Sequence, residues 1–153
     1  MTACHQWAPA DCSAAALDWL LGAYGVRLGG IDDAVALIGP GSGISTVVGL
    51  LDSSGSRLAA AVSSKGLRSR RARLHSSDEL RTWLAEGPLL LDGHQWFGVG
   101  HWFVAIASDA AGIFVRDSSG FDTRYLSWTR LFGEVGWSGW AVGVQSAQGG
   151  HAA

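Results

Sequence analysis

Asp11-Cys12-Ser13-Ala14-Ala15-Ala16-Leu17-Asp18-Trp19-Leu20-Leu21-Gly22-Ala23-Tyr24 is the stretch on which the fold turns. Asp11 is a good N-cap, Ala14 to Leu17 are strong helix formers, and Gly25 can close the run. The residues therefore predict a helix from Asp11 or Cys12 to about Tyr24. A thiol in a helix's first turn feels the positive end of the dipole and the unpaired N–H groups, which favour the nucleophilic thiolate. Cys12 is thus a candidate nucleophile. The plain alternative is a small hydrophobe buried against a sheet.

Working outward, Ile31 to Ile38 reads as a short helix stopped by Gly39-Pro40-Gly41. Ser45 caps another to about Ser53, and Arg57 to Lys65 reads as a helix ended by Gly66. The pattern then changes. Leu67 to Leu74 reads as a strand, and Ser76-Ser77-Asp78-Glu79 is a capping box for a helix that ends at Gly87-Pro88. Pro88 to Asp92, His101 to Ala107 and Gly112 to Asp117 read as short strands. Ser127 caps a brief helix over Trp128 to Phe132, and Trp140 to Val144 reads as a last strand. Helices first and strands afterwards predict an α+β fold, N-terminal helices packed on a mostly antiparallel sheet. Residues 1–145 are expected to form a single domain and 146–153 a flexible tail.

With 153 residues, 48% of them hydrophobic and 16% charged, the chain can bury a core and is not disordered. A net charge of -2 offers no basic field for nucleic acid or an anionic membrane. Cys4 and Cys12 are too few for a disulfide framework. No basic and apolar leader opens the chain, and Ser13 to Val26 carries Asp18 and is too short to span a bilayer. The expected setting is the cytoplasm, where a lone cysteine is more often catalytic than structural.

Two further features bear on Cys12. Gln6 precedes it across a segment containing Pro9, so the Gln6 amide and the Cys12 N–H can point at one developing oxyanion. Downstream, a tight hairpin centred on Asp109 would pair His101 with Asp117, Phe103 with Val115 and Ala105 with Ile113. Paired residues share a face, so the carboxylate would fix the imidazole's tautomer and stabilise its imidazolium.

The run Gln6-Trp7-Ala8-Pro9-Ala10-Asp11-Cys12-Ser13-Ala14-Ala15, with Gly100-His101-Trp102-Phe103-Val104 and Val115-Arg116-Asp117, resembles the double-glycine leader peptidase family. These are papain-like cysteine peptidases that mature bacteriocins, with many stand-alone relatives. The likeness spans about Gln6 to Val144 and includes Gly43-Ile44-Ser45 and Gly66-Leu67. It implies a papain-like fold with Cys12 as nucleophile, His101 as general base and acid, Asp117 as orienter and Gln6 as oxyanion donor. Ser13 stands where many members have Gly, and Ser118 where Pro is common. With no nucleotide-binding motif or transporter segment accompanying it, the expected type is a stand-alone enzyme.

Trp96, Phe97, Gly100 and Trp7 are the candidate substrate-binding residues, since aromatics among glycines beside a base suit a flat apolar cleft wall. Trp102 faces opposite to His101 on its strand and reads as core. His94 is a rival base in the loop from Asp92 to Gly100. Cys4, His5, Cys12 and His94 lack zinc-ligand spacing, and Gly39 to Gly43 lacks the Gly-Lys-Ser/Thr of a phosphate loop, so no metal or cofactor is expected. Arg68, Arg70, Arg71 and Arg73 read as a solvated edge that discourages sheet pairing. Gly149-Gly150 has the look of a double-glycine cleavage signal in the tail. The expected activity is hydrolysis of a peptide or amide through an acyl-enzyme. Transfer of the acyl group to an amine, glutamine deamidation, and a non-catalytic binding module are the alternatives.

Overall fold

The computed structural model describes residues 12–38, 54–93, 101–116 and 123–146. The Ala- and Leu-rich opening forms α1, Cys12–Ala23, and it is buried nearly all round, with Leu17, Leu20 and Leu21 wholly inside. Such burial means that something covers the helix on both sides. The sheet lies on one side; α2, Ile31–Ile38, and α3, Ser56–Ser64, pack on others. The helix expected over 45–53 lies outside the described residues.

The second half supplies β1 (Ser69–Arg73), α4 (Ser77–Leu84), β2 (Leu89–Gly93), β3 (His101–Ser108), β4 (Gly112–Arg116), β5 (Thr123–Ser127) and β6 (Trp137–Val144). The capping box at α4 forms: Ser76 Oγ accepts from the Glu79 N–H at 3.2 Å. The Glu79 carboxylate reaches one residue further back than usual, accepting from the His75 N–H at 2.7 Å.

The strands form one six-stranded sheet in the order β1-β6-β2-β3-β4-β5, antiparallel at every described pairing. Side chains alternate across it. Leu90, Trp102, Val104 and Val142 join the core beneath α1, α2 and α3, whereas Leu89, Leu91, Phe103, Ala105 and Ala141 face α4 and a short π-helical turn at Arg130–Glu134. The helices-then-sheet expectation is met.

Two elements depart from expectation. β5 had no sequence signal, because only Leu126 of its five residues is buried and it pairs on one side, at the sheet's edge. β6 starts at Trp137 rather than Trp140, since Gly139, at φ 95, lets the strand bend there and continue.

The arginines on β1 lie on an edge strand as expected, but Arg70 is not solvated. Its side chain is 10% exposed, pairs with Glu86 at 3.1 Å, donates to the Trp83 carbonyl at 2.7 Å and lies over the Trp83 ring. Burial pushes its guanidinium below the ordinary value, with the Glu86 carboxylate opposing. Arg71, on the other face, lies over Trp140 and donates to the Ser54 carbonyl at 3.2 Å.

Candidate active site

Cys12 is the first residue of α1, a free thiol and 3% exposed. The helix packs its N-terminal end on the start of β3, and there the Trp102 backbone N–H donates to Cys12 Sγ at 3.4 Å. The amide that meets the sulfur is therefore the one formed with the His101 carbonyl carbon. His101 opens β3, is 2% exposed, and stands opposite Gly93 of β2. Trp102 itself is 2% exposed and belongs to the core under α1, as its alternation predicts.

The β3–β4 ladder differs from the expected register. Val104 pairs with Arg116 and Ala105 with Val115; then, past an extra residue at Ile106, Ala107 pairs with Phe114 and Ser108 with Ile113. The expected pairs Phe103–Val115 and Ala105–Ile113 are not formed. The turn is the reason. The Asp109 carboxylate accepts from the N–H groups of Ala111 at 2.8 Å and Gly112 at 2.9 Å and from the Tyr125 hydroxyl at 2.9 Å. It thereby closes the hairpin at Ser108 and Ile113, and the bulge shifts everything beyond it. These bonds, the Ala111 N–H foremost, hold the Asp109 carboxyl below its ordinary value.

Asp117 lies outside the described residues, as do Gln6, Trp7, Trp96, Phe97 and Gly100, the rival base His94 and the double glycine at 149–150. Among the sequence-predicted site residues, Cys12 and His101 are described, and one junction between α1 and β3 holds both. Among the described residues no three His, Cys, Asp or Glu side chains gather to hold a metal ion.

One residue at this junction escaped the sequence reading. Asp92, 1% exposed, stands opposite Trp102 in the β2–β3 ladder. The signal was present: a carboxylate directly after Leu89-Leu90-Leu91, on a strand buried at every position.

The peptidase domain of Streptococcus ComA, a bi-functional ABC transporter involved in a quorum sensing pathway, matches 92% of this chain with 95% of its own. The TM-score is 0.72 at 17% identity. A double glycine motif protease from an AMS/PCAT transporter, in complex with the leader peptide, matches 94% of this chain with 89% of its own, at TM-score 0.65 and 16% identity. The fold is that of the double-glycine peptidase domains. A periplasmic domain of the EpsAB fusion protein of the Vibrio vulnificus type II secretion system is a more distant likeness. Its TM-score is 0.51 at 17% identity, over 90% of this chain and 48% of that one. No protein-family model matches the chain, and no curated protein does.

Proposed function

We propose that this protein is a cysteine hydrolase of peptide or amide bonds, acting through an acyl-enzyme on Cys12. The observation that carries the reading is the placement of the Cys12 sulfur, at a helix start, on the amide that follows His101. The likeness to peptidase domains supports the fold this chemistry uses.

In this reading Cys12 passes its proton to His101, and the sulfur attacks the carbonyl carbon. The oxyanion is received by the Cys12 N–H and the Gln6 side-chain amide, the latter worth about 10²–10³-fold in rate. His101 returns the proton to the leaving amine, and a thioester remains. Water, giving a proton to His101, then attacks the thioester; the acid leaves and the thiol re-forms. Asp117 orients the imidazole. The substrate is a peptide or amide cut after small residues, held between Trp7, Trp96, Phe97 and Gly100. The double glycine motif protease with its bound leader peptide supports a peptide substrate for this fold.

The test is intact mass after incubation with iodoacetamide across pH 5 to 9, for the protein and for Cys12→Ser. At 3% exposure an ordinary thiol labels slowly, so the demand is stringent. The expected result is one fast adduct at low pH, absent from the variant. Slow labelling with an ordinary thiol's pH profile would overturn the reading in favour of a domain that binds without cutting. A fold does not by itself confer a reaction.

A further inference from the structure

The connection from α1 to α2, the outer side of α2 and the end of α3 meet around a cleft that shares no residue with the Cys12 site. Arg27, Leu28, Asp33, Ala36, Leu37 and Lys65 line it, around a volume of about 370 Å³. That is at the small end of the range for ligand clefts. Two cations converge there from separate parts of the chain, Arg27 after α1 and Lys65 after α3. Among the described residues neither side chain is in an ion pair or a hydrogen bond. A basic residue after a helix ordinarily answers the free carbonyls at its end. Here backbone N–H groups already occupy them. Tyr24 and Val26 donate to the Leu21 carbonyl at 3.0 and 2.9 Å, and Gly25 to that of Gly22 at 3.1 Å. Lys65 donates to the Val62 carbonyl at 3.2 Å and Gly66 to that of Ser63 at 3.0 Å. The carboxylate in the lining, Asp33, is engaged too. It accepts from the Gly29 N–H at 2.7 Å, and Gly29 has no Cβ to obstruct it. The lining therefore carries one net positive charge beside half-buried Leu28 and Leu37, which pack on the core with α1.

We propose that this cleft binds a small monocarboxylate with an aliphatic body, its carboxylate held by Arg27 and Lys65 and its chain laid on Leu28 and Leu37. Charge complementarity selects the head. One net positive charge matches one carboxylate, and the planar guanidinium fork of an arginine meets a carboxylate with two parallel hydrogen bonds. Apolar burial selects the body, because methylenes laid on leucine side chains leave water. A bare inorganic anion gains only the first interaction, and an alcohol of the same length only the second. The site is independent of the chemistry read at Cys12.

Octanoate is the probe, titrated into ¹⁵N-labelled protein and followed by amide chemical shifts, with inorganic phosphate and 1-octanol run beside it. The expected result is saturable movement of the Leu28, Gly29, Leu37 and Lys65 amides, half complete at about 1 mM octanoate. Phosphate and octanol are each expected to act about tenfold more weakly or less. No saturable movement, or an equal response to phosphate or to octanol, would overturn the proposal. Arg27→Gln and Lys65→Gln, both at exposed positions, each remove one charge and are expected to weaken octanoate about tenfold. Ala36→Glu, at an exposed position of α2, adds a like charge to the lining and is expected to abolish saturation. The same spectra report whether each variant is folded. Unchanged octanoate affinity in the three folded variants would overturn the proposal.

Discussion

The backbone N–H of Trp102 donates to Cys12 Sγ at 3.4 Å, joining residues 90 apart in the chain. One contact thus docks the start of α1 on the start of β3 and sets the thiol beside the residue that bears the imidazole. Because the donor is backbone, no substitution of the Trp102 side chain removes it directly. What side chains control is how firmly the two ends are held together.

Replacing Cys12 with Ser keeps an acceptor for that N–H and changes little volume. Turnover and fast alkylation are expected to vanish, while stability falls by about 1 kcal/mol or less. Thermal melts beside activity assays check this. Unfolding of Cys12→Ser would mean that the thiol serves the core rather than the chemistry.

Gly55, just before α3, sits at φ 77, and a Cβ there would lie 2.5 Å from Val142 Cγ2 and 3.0 Å from Trp102 Cη2. Gly55→Ala is therefore expected to cost about 1–3 kcal/mol through strain and overpacking. The push falls first on Val142 and then on the indole of Trp102, so slower Cys12 alkylation should accompany it. Urea melts and labelling rates on the same samples test both effects.

Arg70 and Arg71 are neighbours with opposite fates. Arg70→Ala removes a buried stem packed on Trp83 and the bond to its carbonyl, and is expected to cost about 2 kcal/mol. The Glu86 ion pair adds little, since that carboxylate is 43% exposed. Arg71→Ala, at an exposed position, is expected to cost about 0.5 kcal/mol or less. Comparing the two by chemical denaturation checks the ordering.

Asp109 gives a pH-dependent prediction. Its carboxyl is held below the ordinary 3.8, first by the Ala111 N–H and then by the Tyr125 hydroxyl. A depressed carboxyl contributes stability that is present above the ordinary value and lost as pH falls through the folded one. The stability gap between wild type and Asp109→Ala should be widest near neutrality and narrow below about pH 4. Denaturation series at pH 7, 5 and 3 measure it, and a gap independent of pH would contradict the turn's electrostatic role.

Local chemistry was legible from residues alone. Ala14 to Leu17, the cap at Ser76 and the apolar run Leu89 to Leu91 announced their elements, and a Cys at a helix start, with a His opening a strand, pointed to the candidate site. Those features depend on near neighbours, and near neighbours are written in order along the chain. Tertiary structure alone decided the β3–β4 register, the burial of Arg70 and the approach of Cys12 to Trp102. Each depends on a partner distant in sequence or on a single inserted residue. Ile106 shows why: one residue of bulge changes which side chains oppose each other, yet it leaves no mark in composition or periodicity.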